Sequence, residues 1–288
     1  MPAVLLITSI LLSTARNIFS KRVSGIPFGS RAFFINQCVI FAFGGISVIL
    51  FGNVSLNALS PFTLLYALLY GIALICAQWF YTVAFSTGNT AICSTVYSMG
   101  FILPTLSGAI FWNEPFSIPD ILGIMLAITS IIFSKKPQSK TGQNNVSRYS
   151  VPLTVAMLAS GALGIIQKLQ QKSPYPDERG AFLLMAFAVA TILSLLTAFI
   201  TRKNTVPPLG RSTVTFAALI GLFFGCCNLL NTILAGLLDS AIFFPTLNIG
   251  VIFLSMLSGT IIYKEKLSGR ELLVLLFGSA AIALLNVF

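Results

Sequence analysis

The stretch Leu106-Ser-Gly-Ala-Ile-Phe-Trp-Asn-Glu-Pro-Phe-Ser117 returns 151 residues later as Leu257-Ser-Gly-Thr-Ile-Ile-Tyr-Lys-Glu-Lys-Leu-Ser268. In each copy an aromatic residue stands two positions before a glutamate, Glu114 or Glu265, and Asp120 then matches Glu271. Upstream the offset is 150, so that Cys76 meets Cys226, Gln78 meets Asn228, Thr90-Ala-Ile92 meets Ser240-Ala-Ile242 and Gly100 meets Gly250. Further back, Ser13, Asn17 and Lys21 fall opposite Ser160, Gly164 and Lys168. A collinear series of matches with small drifts in offset marks an internal duplication. The one long polar stretch, 135–149 (KKPQSKTGQNNVSRY), lies between the copies and reads as a linker. The expected organisation is a first repeat over 1–134, a polar cytoplasmic linker over 135–149 and a second repeat over 150–288.

Composition says what surrounds these copies. The chain of 288 residues is 56% hydrophobic, has a mean hydropathy of +0.94 and is only 8% charged, where a soluble domain carries about a quarter. Its solvent is therefore largely lipid. A helix crosses the hydrocarbon layer with about 20 mostly apolar residues, because its backbone hydrogen bonds must close internally. Such runs extend over Ala3–Ser20, Ala32–Phe51, Phe62–Phe85, Ala91–Trp112 and Ile118–Phe133, then Val151–Leu169, Ala181–Thr201, Thr213–Leu238, Ala241–Tyr263 and Glu271–Phe288. Gly25-Ile-Pro27, Ser60-Pro61, Gly88-Asn89, Pro115 to Pro119, Pro174-Tyr-Pro176 and Pro207-Pro208 supply the turns between them. The first run lacks a basic leader and an Ala-x-Ala exit, and reads as a retained span. Five spans per copy is an odd number, so the second copy enters the membrane from the opposite side. The expected fold is an all-α membrane protein of ten transmembrane helices in two inverted five-helix repeats, an architecture that recurs in secondary transporters.

The 17 Lys and Arg against 7 Asp and Glu give a net charge of +10, but the basic residues are scattered between apolar runs. They read as loop anchors facing anionic lipid and not as a nucleic-acid surface. Lys21, Arg22, Arg31, Lys135, Lys136, Lys140, Arg148, Arg202, Lys203, Arg211, Lys264, Lys266 and Arg270, 13 in all, fall on one side; Lys168, Lys172 and Arg179 fall on the other. The positive-inside bias puts the first side in the cytoplasm and both termini outside. The chain has no His, and its five Cys lie inside apolar runs without metal-site or disulfide spacing. No cofactor or metal is expected. An intramembrane enzyme would need a nucleophile–base pair, paired carboxylates or metal ligands at depth, and is disfavoured.

Polar groups inside spans are the first candidates for a pathway, since they are costly unless they face protein or water. Gln78 and Tyr81 in the third span correspond to Asn228 and Asn231 in the eighth, each pair three residues apart on one helix face. They line a central cavity or else hydrogen-bond between helices as packing groups. Ser94, Thr95, Tyr97 and Ser98 in span four, Thr246 and Asn248 in span nine, and Asn36-Gln37 in span two join the same candidate site. Pro104 and Pro245 are candidate hinges, because each removes a backbone hydrogen bond. Glu114, Glu265, Lys21 and Lys168 are candidate gate residues at span ends; helix capping is the alternative for the glutamates. Arg16 is the one basic residue well inside an apolar run, and the favoured reading lets it snorkel to the interface near Ser20.

At these residues the chain resembles the drug/metabolite transporter superfamily, specifically its bacterial EamA-type ten-helix branch. The resemblance rests on Asn17 and Lys21, Pro104, Trp112-Asn-Glu114-Pro115 and Gly123. The second copy keeps Lys168 and Glu265 but has Ser255 opposite Pro104 and Val274 opposite Gly123. The resemblance implies an integral protein of the bacterial cytoplasmic membrane that moves a small metabolite by alternating access, as a monomer or homodimer. No Asp or Glu lies in the middle of a span, which disfavours proton-coupled efflux of cationic drugs. It favours export or exchange of a neutral, zwitterionic or amphipathic metabolite, amino-acid-like or other. A non-transporting membrane scaffold or signalling protein is the alternative class.

Overall fold

The computed structural model describes residues 2–20, 23, 26–56, 59–87, 96–115, 117–133, 146–201, 209–263 and 269–286. Lys21, Glu265, Ser94, Thr95 and most of the 135–149 linker lie outside the described residues. All described secondary structure is helical: α1 (Pro2–Ser20), α2 (Arg31–Phe51), α3 (Pro61–Thr87), α4 (Ile102–Trp112), α5 (Ile118–Phe133), α6 (Val146–Lys172), α7 (Arg179–Ile200), α8 (Arg211–Leu237), α9 (Ser240–Tyr263) and α10 (Gly269–Asn286). Among the described residues, six stretches are long and apolar enough to cross a membrane: Pro2–Ser20, Arg31–Phe51, Pro61–Ala84, Ser150–Lys172, Pro176–Ile200 and Arg211–Leu237. Val96–Trp112 and Ile118–Phe133 are apolar but shorter. Large apolar side chains stand exposed along many helices, among them Ile110, Ile118, Phe199 and Ile200. A multi-pass membrane protein is compatible with that surface.

Short polar residues between the apolar runs act as helix caps. Ser30 accepts the Phe33 N–H at 3.1 Å at the start of α2. Ser117 and Asp120 cap α5 reciprocally: Asp120 N–H donates to Ser117 Oγ at 3.3 Å, and Asp120 Oδ2 accepts the Ser117 N–H at 2.8 Å. Ser60 caps α3 by accepting the Thr63 N–H, while its own hydroxyl donates to Glu178 at 2.9 Å. Asn113 takes a left-handed conformation (φ 50°) to end α4, a geometry that Asn tolerates better than most residues.

The helices form two compact units. The first comprises residues 1–75 and 166–236, that is α1, α2, most of α3, the end of α6, α7 and nearly all of α8. The second comprises 76–165 and 237–288, with the end of α3, α4, α5, most of α6, α9 and α10. Each unit thus draws helices from both halves of the sequence.

In the first unit α2 is clasped by α7 and α8 through glycines. A side chain at Gly44 would meet the Phe187 ring of α7 at 2.7 Å, and one at Gly221 or Gly225 would overlap the α2 carbonyls of Ile40 or Gly44. The four-residue spacing of Gly221 and Gly225 therefore serves close packing inside this unit. In the second unit α5 packs along α10, and α9 packs on α4, α5 and α10. Ser130 of α5 donates to the Val274 carbonyl at 3.0 Å, and Gly123 faces Leu285. Gly161 and Gly164 of α6 receive Leu103, Pro104 and Phe244.

Candidate functional site

The first unit contains a polar seam where α1 and α8 run antiparallel. Ser9 donates to Asn231 Oδ1, Ser13 donates to Cys227 Sγ at 3.3 Å, and the Arg16 guanidinium lies 4.8 Å from the centre of the Phe224 ring. Each step along α1 is matched by an equal step back along α8. Phe224 is the midpoint of the 27-residue α8. The snorkelling reading of Arg16 is thereby corrected: its guanidinium stacks on the middle of a span and does not turn to the Ser20 end. Helical side chains lean toward the helix N-terminus, which for α1 leads away from that end.

Beside the seam, Tyr70 of α3 donates to Asn228 Oδ1, and Gln167 of α6 donates to the Tyr70 hydroxyl at 2.9 Å. The Asn228 amide donates to the Phe224 carbonyl at 2.7 Å, so both ends of this side chain are occupied by protein. Tyr70 and Gln167 were not singled out in the sequence. Tyr70 sits in a leucine-rich run with no local polar signal, and Gln167 was masked by its neighbour Lys168. Lys168 is fully buried on α6, so it does not belong with the loop cations among which it was counted; Lys172 and Arg179 remain there. Asn36 is also in this unit. It and Gln37 are each only 4% exposed, and Asn36 Oδ1 and Gln37 Oε1 have no donor among the described residues.

The remaining candidates fall in the second unit. Gln78 is half-buried, and its side chain has no hydrogen bond among the described residues. Tyr81 of α3 and Tyr97 pack with ring centres 4.4 Å apart and their planes tilted by 42°. Thr246 is buried, and Asn248 donates to the Phe244 carbonyl one turn earlier in α9. Pro104 lies just after a 3-10 turn at Met99–Phe101 that interrupts the α-helical ladder. That is the expected effect of a missing N–H and of a ring pressed on the Gly100 carbonyl. Pro245 lies inside α9, five residues after its start, where its missing N–H leaves the Ala241 carbonyl without the usual i→i−4 donor while the helix continues to Tyr263.

Glu114 accepts the Ser240 N–H at 2.8 Å, capping α9 from a position 126 residues away in sequence. A carboxylate there satisfies an orphan donor and meets the positive end of the helix dipole. Gly108 is required beneath it, since a side chain would strike both Glu114 and Ser240. Glu114→Ala should lower stability by about 1 kcal/mol and Glu114→Gln by less, because the amide still accepts. Thermal unfolding in detergent measures both.

No family model and no curated protein matches this sequence. One crystal structure of a protein aligns with a TM-score of 0.79 at 17% identity, covering 99% of this chain and 96% of its own. At such low identity the likeness establishes a shared fold and nothing about cargo.

Proposed function

We propose that this chain is a secondary transporter of the drug/metabolite type, with ten spans in two inverted repeats, that exports or exchanges a small neutral, zwitterionic or amphipathic metabolite by alternating access. One observation carries the reading. Helices that correspond across the sequence repeat pack directly on one another: α2 on α7, α5 on α10, and α4 on α9. Two copies related by a two-fold axis in the membrane plane would bring each near-axis helix against its own counterpart, whereas an unrelated bundle has no reason to do so. The mixed make-up of both units follows from the same symmetry. The bacterial cytoplasmic membrane is the proposed location, with both termini outside; a reporter fused at Phe288 that reads as cytoplasmic would refute the orientation.

The test is uptake of labelled metabolites by proteoliposomes containing the full chain. Gln78, whose side chain has no hydrogen bond among the described residues, and Asn228, whose amide is occupied at both ends, should separate cargo contact from packing. Gln78→Ala should cut flux about tenfold with unchanged thermal stability, a loss equivalent to one good hydrogen bond in the transported state. Asn228→Ala should instead lower stability by about 0.6 to 2 kcal/mol, the range for interhelical hydrogen bonds in membranes. Normal flux in Gln78→Ala would remove this residue from the path.

A further inference from the structure

We propose that Arg16 is the counter-ion for a single carboxylate on the cargo, so that within the transport reading above, on which this rests, the substrate class narrows to monocarboxylates and zwitterions. On α1 the residues Ser9, Ser13, Arg16 and Ser20 recur at intervals of four, three and four, which places them along one face of a helix. Val4, Ile7 and Leu11, 66%, 58% and 53% exposed, mark the opposite face. Arg16 therefore points away from the outward apolar stripe, toward the seam with α8.

Its guanidinium is half-buried there, level with the centre of α8. Among the described residues its guanidinium lies against the Phe224 ring and near the Cys227 thiol, and no carboxylate pairs with it. A ring face offsets only about 0.5 to 2 kcal/mol of a cation's desolvation. Among the described residues no acceptor takes its guanidinium N–H donors, five in all, which leaves them for a planar anion. A cation at this depth that is neither paired nor turned to the interface is the expected mark of a substrate path.

The charge count selects the anion. One accessible guanidinium neutralises one carboxylate in bidentate fashion. A doubly charged phosphate would carry its second charge into the membrane uncompensated. Phe19, whose ring stacks on Phe223 at 5.8 Å, lies one turn further along α1 and offers an apolar wall for the rest of such a molecule.

The experiment is counterflow in proteoliposomes of the full chain, using labelled benzoate and phenylacetate, each paired with its neutral amide, and phenylalanine paired with its amide, which lacks the carboxylate but keeps the α-ammonium group. The expected result is that the carboxylates move at least about tenfold faster than their amides. Arg16→Gln should erase that preference while leaving amide flux intact, which also reports a folded protein, and Arg16→Lys should retain part of it. Equal flux of acids and amides in the unaltered protein, or an unchanged preference in Arg16→Gln, overturns the role of Arg16 and leaves the transporter reading standing. Absence of flux for every compound overturns both.

Discussion

Gly225→Val should yield no monodisperse protein on size-exclusion chromatography in detergent, and Gly225→Ala should lower the unfolding temperature, whereas Gly269→Ala should behave like the unaltered chain. These outcomes run against helix propensity, by which alanine in place of a helical glycine gains up to about 1 kcal/mol. At Gly225 the added carbon would overlap Ser47 Oγ and the backbone carbonyl of Gly44. A hydroxyl rotates away, but a carbonyl in the middle of α2 does not. Nor can α2 retreat, because a side chain at Gly44 would already be within 2.7 Å of Phe187 on its other flank. Inserted methylenes in a packed core cost about 1 to 3 kcal/mol when side chains give way; where backbone is the obstacle the cost is larger. Gly269 has open space within 4 Å and serves as the control. Full expression and unchanged melting of Gly225→Val would show that α8 and α2 are not in contact as described.

The glycine pair at 221 and 225 illustrates how far the sequence carries. Glycines four residues apart let helices approach closely without naming the partner, and the helical state of each apolar run was legible because a chain with so little charge has no other way to satisfy its backbone in lipid. The turns at Ser60 and Ser117 were legible too, since capping uses only neighbouring residues. What stayed hidden needed partners distant in the chain. That α8 meets α2, that Glu114 reaches Ser240, and that Tyr70 joins Gln167 to Asn228 are facts of assembly. Arg16 was misread for a different reason. Its distance from Ser20 suggested the interface, yet the serines at 9 and 13 already marked an inward face, and the lean of helical side chains set its direction.

Asn36→Leu and Gln37→Leu should each raise thermal stability while cutting transport about tenfold. Ordinary buried amides behave the other way, because removing a satisfied hydrogen bond costs about 0.5 to 1.5 kcal/mol. Here the carbonyl oxygens of both side chains are sealed from solvent without a donor among the described residues. An orphan acceptor costs about 1 to 3 kcal/mol, which leucine of similar volume relieves. Such a penalty persists in a protein when the group is satisfied elsewhere in its working cycle. In an alternating-access carrier the natural place is the other conformation, where α2 would find a donor from cargo, water or a neighbouring helix. The described state is then held about 1 to 3 kcal/mol above its attainable stability, and that deficit favours departure from it. Filling the position with leucine deepens one well and leaves the other unaided, so the cycle slows by the same free energy, roughly 5- to 150-fold. Melting curves and counterflow rates on the same preparations decide the matter. A drop in stability for both variants would mean that ordered water already satisfies these oxygens, and their part in the cycle would be withdrawn.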